Sequence, residues 1–92
     1  MSDIFERRLV PSPDAAASAV GDETVILNLA NGTYYGLDPV GTRIWRLITD
    51  GVAMSEVCRR LADDYEVDIA TIEADARHFL IDLEAQGIMV DG

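Results

Sequence analysis

Residues Thr24 to Trp45 limit what this chain can fold into more than any other stretch, because they predict a β-hairpin followed at once by a helix. Residues 25–29 have the alternation of a strand, and Thr33 to Leu37 is rich in β-branched and aromatic residues. Between these runs lies Asn31-Gly32, a turn dipeptide. The stretch therefore predicts two antiparallel strands joined by a short loop.

Two loop lengths are compatible with this hairpin, and they bury different side chains. A two-residue loop of Asn31 and Gly32 pairs Leu29 with Tyr34 and leaves hydrophobic residues opposite the polar Asn28. A three-residue loop, residues 30–32 with Gly32 left-handed, collects one apolar face instead. We therefore predict the three-residue loop. Its core face comprises Val25, Leu27, Leu29, Tyr35 and Leu37, whereas Ile26, Asn28, Tyr34 and Gly36 point the other way.

A helix is predicted to begin directly after the hairpin, at Asp38-Pro39. An aspartate can cap a helix by accepting hydrogen bonds from backbone N–H groups, and proline suits the first helical position. Helical spacing predicts a core face of Val40, Ile44, Leu47 and Ile48, with Trp45 on its flank.

The remaining elements are predicted from turn residues and periodicity. Ala15 to Val20, which ends at a Gly-Asp turn, forms a first strand, so the sheet is a three-stranded meander with Thr33 to Leu37 at its edge. A second helix runs from about Met54 to Tyr65. A third helix extends from a possible cap at Asp68 to Gln86 and is ended by a glycine. The fold class is therefore α+β, with residues 88–90 packing back onto the core.

The third helix has two apolar faces at about 100° per residue. The expected core stripe consists of Ile69, Ile72, Ala76, Phe79, Leu80 and Leu83. Ile81 lies well away from this stripe, in an arc with three alanines that Arg77 and His78 flank. A binding partner could cover this second face, although a single exposed isoleucine is also normal on a protein surface.

Length and charge exclude several classes of protein. Ninety-two residues form one domain with a modest core. The formal net charge of −10, with seven basic against seventeen acidic residues, makes nucleic acid an improbable partner. The chain has neither a membrane-spanning run nor a signal peptide, and its single cysteine fits a reducing compartment, so we expect a cytoplasmic protein that does not bind membranes.

No catalytic or metal-binding constellation is visible in the sequence. His78 is the only histidine, it lies among acids, and acid–base catalysis needs supporting groups around the catalyst. Phosphate-loop, dinucleotide and metal motifs are absent, and Cys58 fits a small core position. We expect no catalytic residue, no metal and no cofactor, and hence not an enzyme.

A binding surface is the remaining possibility, and the edge strand at residues 33–37 favours one. An unpaired edge presents backbone donors and acceptors that an extended peptide can complete as an added strand. Tyr34 and Tyr35 suit such a groove because tyrosine combines apolar area with a hydroxyl group, although they could simply cover the core.

The block Y-Y-G-L-D-P-V-G-T-R-I-W, Tyr34 to Trp45, together with the end F-L-I-D-L-E-A-Q-G-I of the last helix, resembles the PqqD family of peptide-binding domains, also called RiPP recognition elements. The resemblance covers about Ala15 to Val90. It implies a three-stranded sheet followed by three helices in a winged-helix-like arrangement. It also implies that the leader peptide of a ribosomally made precursor binds as a fourth strand, between the third strand and the third helix.

The resemblance further implies a domain over residues 15–92, preceded by a flexible arm over residues 1–14 that could instead pack on a neighbouring molecule in a dimer. The hairpin at Leu29 to Gly32 is more similar to stand-alone lasso-peptide leader-binding proteins than to quinone-pathway members. We therefore expect an adaptor that delivers a leader to a leader peptidase or other maturation enzyme. The expected peptide-binding residues are Thr33, Tyr34, Tyr35, Gly36 and Leu37 on the strand, with Ala74, Arg77, His78 and Ile81 on the helix.

Three alternatives remain open from the sequence. The first is a peptide chaperone of pyrroloquinoline-quinone biosynthesis. The second, a winged-helix DNA-binding regulator, is disfavoured because acids outnumber Arg77 on the third helix and would repel phosphate. The third is a structural subunit of a larger enzyme, which would bind that enzyme without requiring a peptide.

Overall fold

The computed structural model describes residues 4–92 and contains three α-helices and two antiparallel sheets. This arrangement confirms the α+β class. In chain order the elements are a short 3-10 helix (Ile4–Glu6), β1 (Leu9–Pro11), β2 (Ala15–Val20), β3 (Glu23–Asn28), β4 (Thr33–Leu37), α1 (Pro39–Thr49), α2 (Met54–Tyr65), α3 (Ile69–Ala85) and β5 (Met89–Asp91).

The larger sheet is the predicted meander, with strand order β2-β3-β4 and antiparallel neighbours throughout. Strands β1 and β5 form a separate two-stranded sheet that joins the two ends of the chain. Strand β4 is therefore an edge, as the sequence predicted, and it leads directly into α1.

The predicted three-residue loop is wrong, because residues 29–32 form a four-residue loop closed by Asn28 and Thr33. This register turns Ile26 toward the core beside Tyr35 and leaves Val25, Leu27 and Leu29 at least partly exposed, so these four assignments were wrong. Tyr35 and Leu37 do lie on the core side as predicted.

Asn28 explains this register, since its side chain has hydrogen-bond partners that only the four-residue loop supplies. Its Oδ1 accepts from the Ala30 N–H at 3.0 Å, and its Nδ2 donates to the Gln86 carbonyl at 2.9 Å. The Gly32 N–H donates to the Asn28 carbonyl at 2.8 Å, and Gly32 is left-handed, with a φ of 73°. Asn28 is only 4% exposed, and a buried amide with its bonds made costs less than one without them.

Helix α1 begins as predicted but is rotated about its axis. Asp38 accepts a hydrogen bond from the Gly41 N–H at 2.7 Å, and Pro39 is the first helical residue. Trp45 is buried in the core rather than on the flank, and Val40 is exposed rather than buried. The rotation follows from Gly41, whose missing side chain lets the first turn of α1 approach α3 closely.

Helices α2 and α3 have the predicted bounds and most of the predicted core. Leu61 of α2 and Leu80 and Leu83 of α3 are buried, whereas Ile69 and Tyr65 at the helix ends are exposed. The buried residues form two clusters, and Phe79 packs against both of them. The predicted return of the C-terminal segment is confirmed, because Ile88 and Met89 are buried.

The first described residues pack onto the body of the domain. Ile4 is buried, β1 pairs with β5, and the Arg7 guanidinium donates to Glu84 of α3 and to Asp91 of β5. The flexibility expected for residues 1–14 and the boundary at residue 15 stay predictions, and residues 1–3 of that arm lie outside the described residues. No helix within residues 4–92 is long and apolar enough to cross a membrane.

Candidate functional site

Strand β4 has one edge paired with β3 and another that no strand within residues 4–92 occupies. In an antiparallel ladder, alternate residues direct their N–H and C=O groups away from the neighbouring strand. None of residues 33–37 is charged or proline, the residue types that commonly protect an edge from pairing. Backbone donors and acceptors are therefore available here for an added strand.

The junction between β4 and α1 fixes the lower end of this edge. The Leu37 side chain is buried in the core, and the Thr42 hydroxyl donates to the Leu37 carbonyl at 3.4 Å. Asp38, bonded to Gly41, ends the strand and starts the helix. A Cβ on Gly41 would lie only 3.3 Å from the Phe79 ring, so glycine allows α1 and α3 to meet beside β4.

Helix α3 forms the opposite wall of the site. The Tyr35 hydroxyl donates to Asp82 Oδ2 at 3.1 Å and so bridges β4 and α3. Partial burial, the bond to Asp82 and the negative charge of Asp82 together raise the pKa of Tyr35 above its usual value, so the hydroxyl keeps its proton at neutral pH. A depression of about 240 Å³ lies between strand and helix. Its lining residues are Tyr35, Gly36, Leu37, Asp38 and Phe79.

Two further side chains of α3 share the face that Asp82 occupies. Asp75, His78 and Asp82 follow the spacing i, i+3 and i+7, which places residues in a row along one side of a helix. Phe79 lies beside this row, toward the core. We call the free edge of β4, the depression and this row of α3 the β4 groove.

The sequence-predicted site residues separate into two groups. Thr33 to Leu37 form the strand side of the β4 groove, and His78 lies in the row on its helix side. Arg77 instead lies over the Phe5 ring, 4.4 Å from its centroid, on the flank of α3 that faces the N-terminal segment. Ala74 and Ile81 lie on the exposed outer face of the helix. Whether Ala74, Arg77 and Ile81 contact a peptide stays a prediction.

Sequence reasoning missed two groove residues on α3. Phe79 was assigned only to the core, although its place at the border of the core stripe could have marked it as a groove wall. Asp82 was counted only as a charge that repels nucleic acid. Its partner Tyr35 is 47 residues away in sequence, so no local pattern could have indicated the bond between them.

A second and larger cavity, of about 550 Å³, lies on the other flank and shares no lining residue with the depression. The N-terminal segment from Ile4 to Pro11 forms one wall, and residues from the end of α1 to the start of α2 form the other. Arg7 lines this cavity but already donates to two carboxylates.

Comparison with known proteins gives one family and two solved structures. The model of the family described as Coenzyme PQQ synthesis protein D (PqqD) matches residues 23–89. The structure of TbiB1 in complex with the TbiA(beta) leader peptide is similar with a TM-score of 0.82 and 38% identity, covering 86% of this chain and 92% of that chain.

Lasso peptide synthetase B1 complexed with the leader peptide is similar with a TM-score of 0.85 and 22% identity. This match covers 90% of this chain and 98% of that chain, and at such identity it shows a shared fold alone. No curated protein sequence matches the chain.

Proposed function

Because the chain belongs to the PqqD family, we propose that it is a non-catalytic adaptor that binds the leader peptide of a ribosomally made precursor. The leader adds to the free edge of β4 as a fourth strand and lies against α3. The adaptor then delivers the attached core peptide to a leader peptidase or another maturation enzyme.

One observation carries this proposal, namely that the unpaired, uncharged edge of β4 faces a depression beside α3. Backbone pairing along a strand supplies affinity with little dependence on sequence, and adjacent side-chain pockets supply selectivity. Both parts are present in the β4 groove. The titles of the two similar structures name complexes with leader peptides, which supports a leader as the occupant.

A lasso-peptide precursor is the favoured substrate class. The similar structure with 22% identity is named as a lasso peptide synthetase B1, and the hairpin at residues 29–32 resembles stand-alone leader-binding proteins of this class. Pyrroloquinoline-quinone biosynthesis is the second candidate, and the description of the matching family model favours it. The winged-helix arrangement and a role in DNA binding stay predictions, and the exposed acids Asp75 and Asp82 on α3 oppose the latter.

The direct test is an NMR titration of ¹⁵N-labelled protein with the TbiA(beta) leader peptide and with leaders of precursors encoded next to its gene. We expect shifts concentrated in residues 33–37 and around Phe79 and Asp82. The proposal is wrong if no leader produces saturable shifts, or if the shifts fall on the β1 and β5 flank and spare β4.

A matched pair of variants defines the helix side of the β4 groove. Ile81→Asp introduces a charge on the outer face of α3, and Asp82→Asn removes one from the face beside Tyr35. If the leader reaches the outer face, as the sequence predicted, Ile81→Asp weakens binding. If the leader stays between β4 and the row of Asp75, His78 and Asp82, only Asp82→Asn changes the affinity.

A further inference from the structure

We propose that the β4 groove selects leader peptides that place a lysine or arginine side chain against Asp75 and Asp82 of α3. This inference rests on the proposed function, because it assigns the charge preference of the same groove. It identifies the two carboxylates as specificity-determining residues, whereas backbone pairing to β4 is indifferent to side chains.

The ion pairs formed among residues 4–92 leave the groove acids uncompensated. Arginines pair with Glu84 and Asp91, with Asp64, with Glu56 and Asp63, and with Glu73. None of these pairs includes Asp38, Asp75 or Asp82. The acids of the groove are therefore exceptional in a molecule that pairs many of its other carboxylates.

The position of these carboxylates suits a cation on a bound strand. Asp82 Oδ2 accepts the Tyr35 hydroxyl, which orients the carboxylate and leaves its other oxygen open. Asp75 lies two turns before Asp82 on the same row, one turn from Phe79. Asp38 lines the lower end of the depression and uses Oδ1 for the Gly41 N–H. A basic side chain can rest its aliphatic stem on Phe79 while its charge reaches these acids.

The same charges exclude the opposite kind of leader. A glutamate or aspartate facing the row would approach two like charges, and the net charge of −10 would already slow its arrival. Because the site is partly exposed, we expect each groove carboxylate to change the affinity by about threefold. Screening should shrink the preference between about 0.05 M and about 0.5 M salt.

The experiment is a positional scan of the TbiA(beta) leader, and of any leader that binds in the titration, with each residue replaced in turn by Lys, Gln and Glu. At one or two positions we expect the affinity order Lys, Gln, Glu. The double variant Asp75→Asn/Asp82→Asn should abolish this order, and Asp82→Lys should reverse it. Asp63→Asn, which removes an equal charge from α2, should leave the order unchanged.

The outcomes separate this inference from the function on which it rests. Equal affinities at every position, or an order that persists in the double variant, would overturn the charge preference while leader binding stands. Failure of every leader to bind the unaltered protein would overturn the proposed function and this inference together. A leader that binds with an order dependent on Asp63 would also contradict the assignment to α3.

Discussion

The two flanks of α3 differ in how far the rest of the chain closes them. On one flank, Arg7 bonds to Glu84 and Asp91, and Arg77 lies over Phe5. β1 pairs with β5 on this side, and Gly92 donates to the Arg8 carbonyl. On the other flank, an unpaired strand faces the helix across a depression that the Tyr35 hydrogen bond to Asp82 spans.

This difference indicates how one helix serves both stability and binding. The closed flank brings opposite charges together and pairs its strands. The open flank retains uncompensated carboxylates and free backbone groups, which are costly to bury without a partner but remain solvated until one arrives. Variants on each flank should therefore affect different measurements.

The largest effect is expected for Phe79→Ala, because this ring supports both flanks. Phe79 packs against both core clusters and lines the depression. Its truncation should lower the free energy of unfolding by about 2–3 kcal/mol, toward the low end for phenylalanine since the ring is partly exposed. Leader affinity should fall at least tenfold. Urea denaturation and titration calorimetry measure the two losses, and Phe79→Leu should recover most of the stability.

The next effect is expected for Arg7→Met on the closed flank. The bonds from Glu84 and then Asp91, together with their charges, raise the pKa of Arg7 above its ordinary value, so the guanidinium stays ionised. Its removal leaves the two carboxylates facing each other without a cation. We expect a lower melting temperature, by less than in Phe79→Ala, with unchanged leader affinity. A parallel fall in affinity would show that the flanks are not independent.

A smaller, pH-dependent effect is expected for Tyr35→Phe on the open flank. The pKa of Tyr35 is raised in the folded state by burial and then by Asp82. The stability it contributes is therefore full below the unfolded pKa of about 10 and is lost as pH rises through the folded pKa. Near neutral pH the variant should lose about 0.5 kcal/mol for one partly exposed hydrogen bond.

In denaturation measured from pH 8 to pH 11, Tyr35→Phe should show a weaker alkaline loss of stability than the unaltered protein. Tyr34→Phe is the matched control, because Tyr34 lies on the opposite face of the same strand. An equal reduction in both variants would assign the effect to tyrosine ionisation in general.

The smallest change in stability is expected for Tyr34→Ala. Tyr34 is 72% exposed, so the free energy of unfolding should stay within about 0.5 kcal/mol of the original. A neighbouring added strand would still contact it, and a lost cross-strand pair should weaken leader binding about two- to fivefold. Binding that is unaffected would place the leader away from the outward face of β4.

Much of the fold could be predicted because its signals are local. Asp38-Pro39 starts α1 and Gly87 follows α3, since capping and backbone conformation depend on adjacent residues. The alternation and turn residues before and after Asn31-Gly32 were sufficient to identify the meander and its edge strand. The strand side of the candidate site followed from that edge.

The tertiary structure alone decided the hairpin register and the helix side of the site. Asn28 selects the register through Gln86, which is 58 residues away in sequence. Tyr35 and Phe5 determine which flank of α3 faces β4 and which faces the N-terminal segment, and these contacts also join distant parts of the chain. Periodicity identifies a helix and its apolar stripe, but the polar residues beside that stripe acquire a partner only when the elements pack.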